Sequence, residues 1–230
     1  MIIWLNGAFG AGKTQTAYEL RRRLPGSYVY DPENAGFFIR DNLPPGLGLD
    51  DFQDFPMWRA FNLEMLDYAA ARYEGHIIVP MTITSRAYYQ ELVGTLAKKY
   101  EVRHFILWAG EDTLKKRLAS RLERPGSWGH RQIGRCLRAF ETQVTEEKVD
   151  TDGLGIGQAA EKIGALCGLA LESHDQSGDF RSGRPAGGYG AHLLPDFKGY
   201  PVGIWLPVHP GGVRPGVQRK DGAGQCGPPH

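Results

Sequence analysis

The stretch Gly7-Ala8-Phe9-Gly10-Ala11-Gly12-Lys13-Thr14 matches the pattern G-x-x-x-x-G-K-[ST] of a phosphate-binding loop. Before it, Met1–Leu5 is a short apolar run typical of a buried strand, and after it Thr14–Leu20 favours a helix. Glycines let successive backbone N–H groups turn toward phosphate oxygens, and the helix N-terminus adds partial positive charge. A strand, a glycine loop and a helix in this order predict a P-loop.

The polar positions of this loop have defined roles in a nucleotide site. Lys13 is predicted to reach the β- and γ-phosphates of ATP, and the Thr14 hydroxyl to ligate Mg²⁺. Gln15 follows in the first helical turn and completes the predicted nucleotide-binding set. The sequence therefore predicts ATP and Mg²⁺ as cofactors, with Lys13 also acting as a catalytic residue.

The composition of the 230-residue chain excludes several classes of function. The net charge is +1 without a block of like charge, so no nucleic-acid partner is expected. The three cysteines, Cys136, Cys167 and Cys226, lack metal-ligand spacing and are odd in number, which favours a reducing compartment over a disulfide framework. The sequence shows no basic signal-peptide region and no apolar stretch of about 18 residues. A cytoplasmic protein is expected.

Strand-like apolar runs alternate with helix-like stretches over residues 1–171, which is typical of an α/β fold with a parallel sheet. The predicted strands are Ile2–Leu5, Ser27–Tyr30, His76–Met81, Val102–Trp108 and Lys148–Thr151. The predicted helices are Lys13–Leu24, Glu33–Leu43, Phe55–Tyr73, Ser85–Lys98, Asp112–Arg124, Trp128–Val144 and Gly157–Cys167. These elements predict a P-loop NTPase, nucleoside-kinase-like, with a five-stranded parallel sheet and helices on both faces.

Residues 172–230 differ in composition from the predicted domain. Ser173–His230 holds 13 of the 31 glycines and 8 of the 15 prolines, which removes both helix propensity and sheet hydrogen-bond donors. The sequence therefore predicts a kinase-like domain at 1–171 and an irregular or disordered Gly/Pro-rich tail at 172–230.

The residues that follow the predicted strands are the candidates for chemistry, because ligands bind at the carboxyl ends of strands in an open parallel sheet. Asp31 ends the second strand and precedes Pro32, which disfavours helical geometry at Asp31. Its carboxylate is predicted to accept the proton of an acceptor hydroxyl or to help hold Mg²⁺. The alternative is that Asp31 only caps the next helix. The third strand runs into Pro80-Met81-Thr82 and lacks the acid that P-loop enzymes commonly place there.

A mixture of aromatic and polar residues between Glu33 and Tyr73 is typical of a pocket for a planar, polar small molecule. Trp58, Phe61 and Met65 have helical spacing, so much of this aromatic stripe is expected to be core. The predicted substrate-binding residues are Phe37, Arg40, Gln53, Trp58, Arg59, Asn62 and Thr82.

Two arginine stripes of helical spacing occur late in the domain, at Arg117, Arg121 and Arg124 and at Arg131, Arg135 and Arg138. A hinged pair of such helices can close over a transferring phosphoryl group, and Arg117 and Arg121 are predicted to contact it. The alternative is that both stripes are solvated faces. The loop Asp150–Gly153 after the fifth strand is expected to border the nucleotide base.

The chain resembles the tunicamycin-resistance family of P-loop proteins, relatives of chloramphenicol phosphotransferase and other small nucleotide-type kinases. The resemblance rests on Ile2–Ala17, on Tyr28–Glu33, on Asp51-Phe52-Gln53 with Trp58–Asn62, and on Ile78–Thr82. It implies ATP binding and resistance to tunicamycin, a uridine-containing inhibitor of sugar-phosphate transfer to polyprenyl phosphate. It also implies peripheral membrane association through a C-terminal amphipathic segment. Ser173–His230 carries no basic amphipathic helix pattern, and the tail does not support that association.

Three functions are consistent with these features. The first is ATP-dependent phosphorylation of tunicamycin or a related nucleoside-like compound, with Lys13, Asp31, Arg117 and Arg121 as catalytic residues and Thr14 and Asp31 at the metal. The second is ATP-dependent sequestration of the drug without turnover. The third is a metabolic small-molecule kinase.

Overall fold

The part of the chain that the computed structural model describes, residues 1–120 and 126–173, contains five strands in one sheet. They are β1 Ile2–Gly7, β2 Ser27–Val29, β3 His76–Pro80, β4 Val102–Trp108 and β5 Lys148–Asp150. All pairs are parallel, and the order across the sheet is β2-β3-β1-β4-β5. This confirms the predicted fold class. The described residues fall within a compact unit that spans Met1–Ser177.

The helices follow the predicted positions within a few residues, and the predicted end of the helix Asp112–Arg124 lies outside the described residues. They are α1 Lys13–Arg23, α2 Glu33–Asn42, α3 Pro56–Ala70, α4 Arg86–Tyr89, α5 Thr95–Ala97, α6 Glu111–Ala119, α7 Trp128–Thr142 and α8 Ile156–Leu166, with a 3₁₀ turn at Phe52–Asp54. The predicted helix Ser85–Lys98 is divided, because Gln90–Gly94 between α4 and α5 forms a π-helical turn. The tail from residue 174 onward lies outside the described residues.

Strand β1 occupies the centre of the sheet and is buried along its whole length. Its side chains alternate between two apolar clusters, as the period of a strand requires. Ile3 and Leu5 belong to the cluster that includes residues of α1, α6, α7 and α8, whereas Ile2 and Trp4 belong to the cluster that includes residues of α3 and of the π-helical turn. Helices therefore cover both faces of the sheet, and a ligand reaches it at the ends of the strands.

The last described residues are fastened to the first helix. Glu172 N–H donates to the Arg23 carbonyl at 2.8 Å, and Arg23 Nε donates to the Glu172 carbonyl at 2.8 Å. Among the described residues, no helix combines the length and the apolar character needed to cross a membrane.

Candidate active site

The predicted phosphate loop connects β1 to α1. Gly7, Gly10 and Gly12 have φ values of 145°, 85° and 91°, a region that side chains with a Cβ rarely adopt. A Cβ on Gly10 would lie 2.7 Å from the Leu114 carbonyl oxygen, so the loop also packs too closely on α6 for a larger residue. Glycine is required at all three positions for the turn, and at Gly7 and Gly10 also for the packing behind it.

The start of the loop is held by Asn6, a buried residue that the sequence analysis did not select. Asn6 Oδ1 accepts from the Gly7 N–H at 2.8 Å and from the Ile83 N–H at 3.0 Å, and Asn6 Nδ2 donates to the Ile83 carbonyl at 2.9 Å. Thr82, a predicted substrate residue, donates its hydroxyl to the Gly7 carbonyl at 2.8 Å. The segment after β3 therefore holds the start of the phosphate loop in place through these hydrogen bonds.

Lys13 lies within the loop. Its Nζ donates to the Gly7 carbonyl at 3.1 Å and to the Ala8 carbonyl at 3.2 Å, and it lies 5.4 Å from the centre of the Phe9 ring. Thr14 and Gln15 follow at the exposed N-terminus of α1. The ammonium, the hydroxyl and the positive end of the helix thus come together at the carboxyl end of β1, which is a suitable arrangement for a polyphosphate.

A cavity of about 380 Å³ adjoins this loop and is lined by Gly12, Gln15, Thr16, Arg117, Thr151 and Ile156, among others. Arg117 donates to Thr151 Oγ1 at 3.1 Å and to the Thr151 carbonyl at 2.6 Å. Arg117 is therefore fastened to the loop after β5, the loop predicted to border the base. Its contact with the transferring phosphoryl group stays a prediction, and Arg121 lies outside the described residues.

Two acidic residues, Asp31 and Glu33, follow β2 and interact through a hydrogen bond and through their charges. Asp31 Oδ1 accepts from the N–H of Glu33, the first residue of α2, at 3.0 Å, and Asp31 precedes the N-cap residue Pro32. Burial raises the pKa of Glu33, the nearby carboxylates of Asp31 and Asp51 raise it further, and Lys13 opposes them. Glu33 was missed, although an acid two residues after a strand-end Asp is a signal that the sequence contains.

Gln53, another predicted substrate residue, is buried in a polar network. Its Nε2 donates to Asp51 Oδ2 at 2.8 Å, and its Oε1 accepts from the Thr84 N–H at 3.0 Å. Arg135 of α7 donates to the same Asp51 oxygen at 2.5 Å and to Thr84 Oγ1 at 3.2 Å. Arg59 donates to the Gln53 carbonyl at 2.6 Å. This polar network and the phosphate loop therefore both lie at the carboxyl ends of β1 and β3.

The remaining predicted substrate residues divide into two groups. Trp58 and Asn62 are completely buried, and they support the turn after β2, because Trp58 Nε1 donates to the Pro32 carbonyl at 2.9 Å and Asn62 Oδ1 accepts from the Tyr30 hydroxyl at 2.7 Å. Phe37 and Arg40 lie farther out on α2, where the Arg40 guanidinium stacks 5.1 Å from the centre of the Phe37 ring. The geometry gives Trp58 and Asn62 a structural role. Substrate contact by these two residues, or by Phe37 and Arg40, stays a prediction.

Comparisons with known proteins agree with this architecture. The AAA domain family matches residues 2–142. The structure resembles a tunicamycin resistance protein from Deinococcus radiodurans with 37% sequence identity and a TM-score of 0.64, covering 75% of this chain and 98% of that one. A search of curated proteins finds no match.

More distant structures share the fold alone. A sugar kinase from a Janibacter species has 17% identity and a TM-score of 0.52, covering 75% of this chain and 98% of that one. A shikimate kinase from Bacteroides thetaiotaomicron has 19% identity and a TM-score of 0.51, covering 74% of this chain and 99% of that one.

Proposed function

We propose, from the premise that this chain belongs to the AAA domain family and to the family of tunicamycin resistance proteins, that it phosphorylates tunicamycin or a related nucleoside-like compound with ATP. The observation that carries this proposal is the phosphate loop with Lys13 at the carboxyl end of β1, together with Asp31 and Glu33 after β2, where the charges of Lys13, Asp31 and Asp51 act on the carboxyl group of Glu33. A phosphate-binding cation together with an acid at the carboxyl end of another strand of the same sheet is the arrangement that phosphoryl transfer to a hydroxyl requires.

The nucleotide site suits ATP and Mg²⁺ in its donor set. Lys13 and the N-terminus of α1 would hold the phosphates, and the Thr14 hydroxyl would ligate Mg²⁺. Among the residues of the described ranges, no group of three His, Cys, Asp or Glu side chains is arranged to bind a metal ion. A magnesium ion held by one hydroxyl, water and phosphate oxygens agrees with this. When bound, Mg²⁺ supplies positive charge to the phosphates.

The cavity beside Thr16 would receive the base. Arg117 presents a planar guanidinium there, held in place by Thr151, and the apolar residues Leu154 and Ile156 line the same cavity. A flat apolar and cationic environment favours an aromatic base. We therefore propose that Arg117 contacts the base, beside its predicted contact with the transferring phosphoryl group.

In the proposed reaction an acceptor hydroxyl oxygen attacks the γ-phosphorus of ATP. A new O–P bond forms while the bond from the γ-phosphorus to the bridging oxygen breaks, and ADP leaves with that electron pair. The hydroxyl proton passes to the carboxylate of Asp31, whose position Trp58 supports through Pro32. Lys13 offsets the negative charge on the phosphates during transfer.

The second candidate is sequestration of the drug without turnover. The observation in its favour is the segment after β3, which offers no acid and in which the Thr82 hydroxyl is already used by the Gly7 carbonyl. A sequestering protein protects the cell only against as many drug molecules as there are protein chains. An enzyme protects the cell at a protein concentration far below that of the drug.

Mass spectrometry of tunicamycin after incubation with the protein and Mg-ATP tests the proposal. We expect a product heavier by one phosphoryl group, formed in excess over protein and absent with Lys13→Ala. An unmodified drug at saturating concentration, together with cellular protection that scales one to one with protein, would support sequestration instead.

A further inference from the structure

Three described arginines on the acceptor side of the site, Arg40, Arg59 and Arg135, are each paired with an acid of the chain itself. Arg59 is the most confined: its Nε bonds to Glu91 at 2.7 Å, its Nη1 bonds to the Gln53 carbonyl at 2.6 Å, and its guanidinium lies 4.0 Å from the centre of the Tyr88 ring. Its side chain is only 10% exposed. Two of the three nitrogens and one face of this guanidinium are therefore occupied.

Arg135 is satisfied in the same way from α7. Besides its bonds to Asp51 and Thr84, its Nε donates to Gln132 Oε1 at 2.6 Å. The partner carboxylate of Asp51 is 10% exposed, and it also accepts from Gln53. An ion pair with these additional hydrogen bonds is expensive to break, because separation leaves a largely buried charge without a partner.

Arg40, at the outer edge, pairs with Asp41 at 3.4 Å and stacks on Phe37 and Phe52. Arg40, Arg59 and Arg135 thus each form an ion pair with a carboxylate of the same chain. Lys13, whose charge acts on Glu33, is assigned to the nucleotide by the proposed function. An anionic acceptor would therefore compete with a carboxylate of the chain for each of these guanidinium groups.

The acids at the end of β2 make entry of an anion more costly. The charges of Asp31, Lys13 and Asp51 all act on Glu33, which also donates its N–H to Asp31 Oδ1 at 3.0 Å. Among the described residues, the guanidinium groups of Arg59 and Arg135, which could offset the repulsion of a phosphate or carboxylate on the acceptor, are already paired. An uncharged hydroxyl compound meets no such penalty, and it can use the same carboxylates as hydrogen-bond acceptors.

We propose that the acceptor site selects uncharged hydroxyl compounds and excludes phosphorylated or carboxylated ones, and that Asp51 sets this selectivity by neutralising Arg135, with Glu91 doing the same for Arg59. The proposal rests on the proposed function for the location of the acceptor. It adds the charge class of the substrate and the two acids that determine it. A nucleoside is accepted, and the corresponding nucleoside monophosphate is not.

Calorimetric binding to the full-length protein tests this selectivity, with ADP and Mg²⁺ present so that probes do not enter the phosphate loop. The uncharged probes are tunicamycin and uridine, and the anionic probe is uridine 5′-monophosphate. We expect the wild type to bind the better uncharged probe at least about tenfold more tightly, which corresponds to about 1.4 kcal/mol. The proposal is overturned if uridine 5′-monophosphate binds as tightly as the uncharged probes or more tightly. It is also overturned if none of the probes binds measurably.

Substitution of the neutralising acid is the second part of the test. Asp51→Asn keeps the shape of the side chain and releases the charge of Arg135, so the affinity for uridine 5′-monophosphate should rise at least about tenfold and should weaken with added salt. Asp54→Asn is the matched control, because it changes the net charge equally from an exposed position in the same turn. An Asp51→Asn variant with unchanged selectivity refutes the role of this residue.

Glu91→Gln keeps the test informative if the first variant does not fold. Glu91 is 42% exposed, and its loss releases Arg59 while the Asp51 network stays intact. It should raise the affinity for the anionic probe in the same direction, and no change would count against the proposal. Selective binding without a phosphorylated product would refute the proposed function and leave the selectivity standing.

Discussion

Asn6→Ala removes the side chain that ties the start of the phosphate loop to the segment after β3. Asn6 is completely buried and makes three hydrogen bonds to main-chain groups, two with N–H donors and one with a carbonyl. Alanine leaves the Gly7 N–H, the Ile83 N–H and the Ile83 carbonyl without these partners. Each buried polar group left unsatisfied costs about 1–3 kcal/mol.

The sum of these costs, counted at the low end for each group, is a loss of about 3 kcal/mol in the free energy of unfolding. For a domain of this size each kcal/mol lowers the thermal midpoint by about 2–4 °C, so a decrease of about 6–12 °C is expected. ATP affinity should also fall, because Gly7 is the first residue of the phosphate loop and loses its fixed position. Urea unfolding and calorimetric melting measure the first effect, and nucleotide titration measures the second.

Asn42→Ala is the matched control. Asn42 is an exposed asparagine at the end of α2 whose Nδ2 donates to the Phe38 carbonyl at 2.7 Å, so its removal should change stability by no more than about 0.5 kcal/mol. A loss under about 1 kcal/mol for Asn6→Ala would show that water or main-chain rearrangement satisfies the three groups, and it would refute the reasoning. So would an Asn42→Ala variant that is equally destabilised.

Three further outcomes are expected at the acidic and basic groups of the site. Lys13→Ala should weaken ATP binding by about 10- to 150-fold, because a charge-assisted contact to phosphate is lost. The control Lys99→Ala, which removes an exposed ion pair, should leave ATP binding unchanged. Equal ATP affinities of the wild type and Lys13→Ala in a nucleotide titration would contradict the P-loop assignment. Asp31→Asn should retain ATP binding and abolish phosphorylation of the drug, and parallel loss of both would reassign this residue to structure or metal. Glu33→Gln should raise the thermal midpoint at pH 7, because the raised pKa of Glu33 means that the folded state binds this proton more tightly than the unfolded state, and stability is lost as pH rises through the folded pKa. Below about pH 4 both states are protonated and the difference between wild type and variant should vanish, which melts over a pH series will check.

The fold was largely predictable because its signals are local. Apolar runs of strand length, a glycine loop and helical spacing each extend over a few residues, and β4 begins and ends where the sequence predicted. The helix predicted at Ser85–Lys98 differs in detail, since the π-helical turn at Gln90–Gly94 has no signal of its own in the pattern of apolar residues. Such a turn arises from how the segment packs.

The candidate site was predictable only in part. The phosphate loop was identifiable because its glycines, lysine and threonine are contiguous, and Asp31 because it ends a strand. The environment of Trp58 and Asn62 was not, because a helical stripe of mixed residues does not say which members reach the core. The structure shows both supporting the turn after β2.

The sequence by itself determined that this chain has a parallel α/β fold with a phosphate loop after its first strand, since those properties follow from short-range pattern and residue chemistry. Only the tertiary structure decided which charges neutralise each other. Arg135 and Asp51 are 84 positions apart, and Asn6 and Ile83 are 77 apart. A charge or an amide acquires its partner when the sheet closes and the helices pack, and because electrostatic energy depends on distance and burial, sequence spacing cannot reveal that partner.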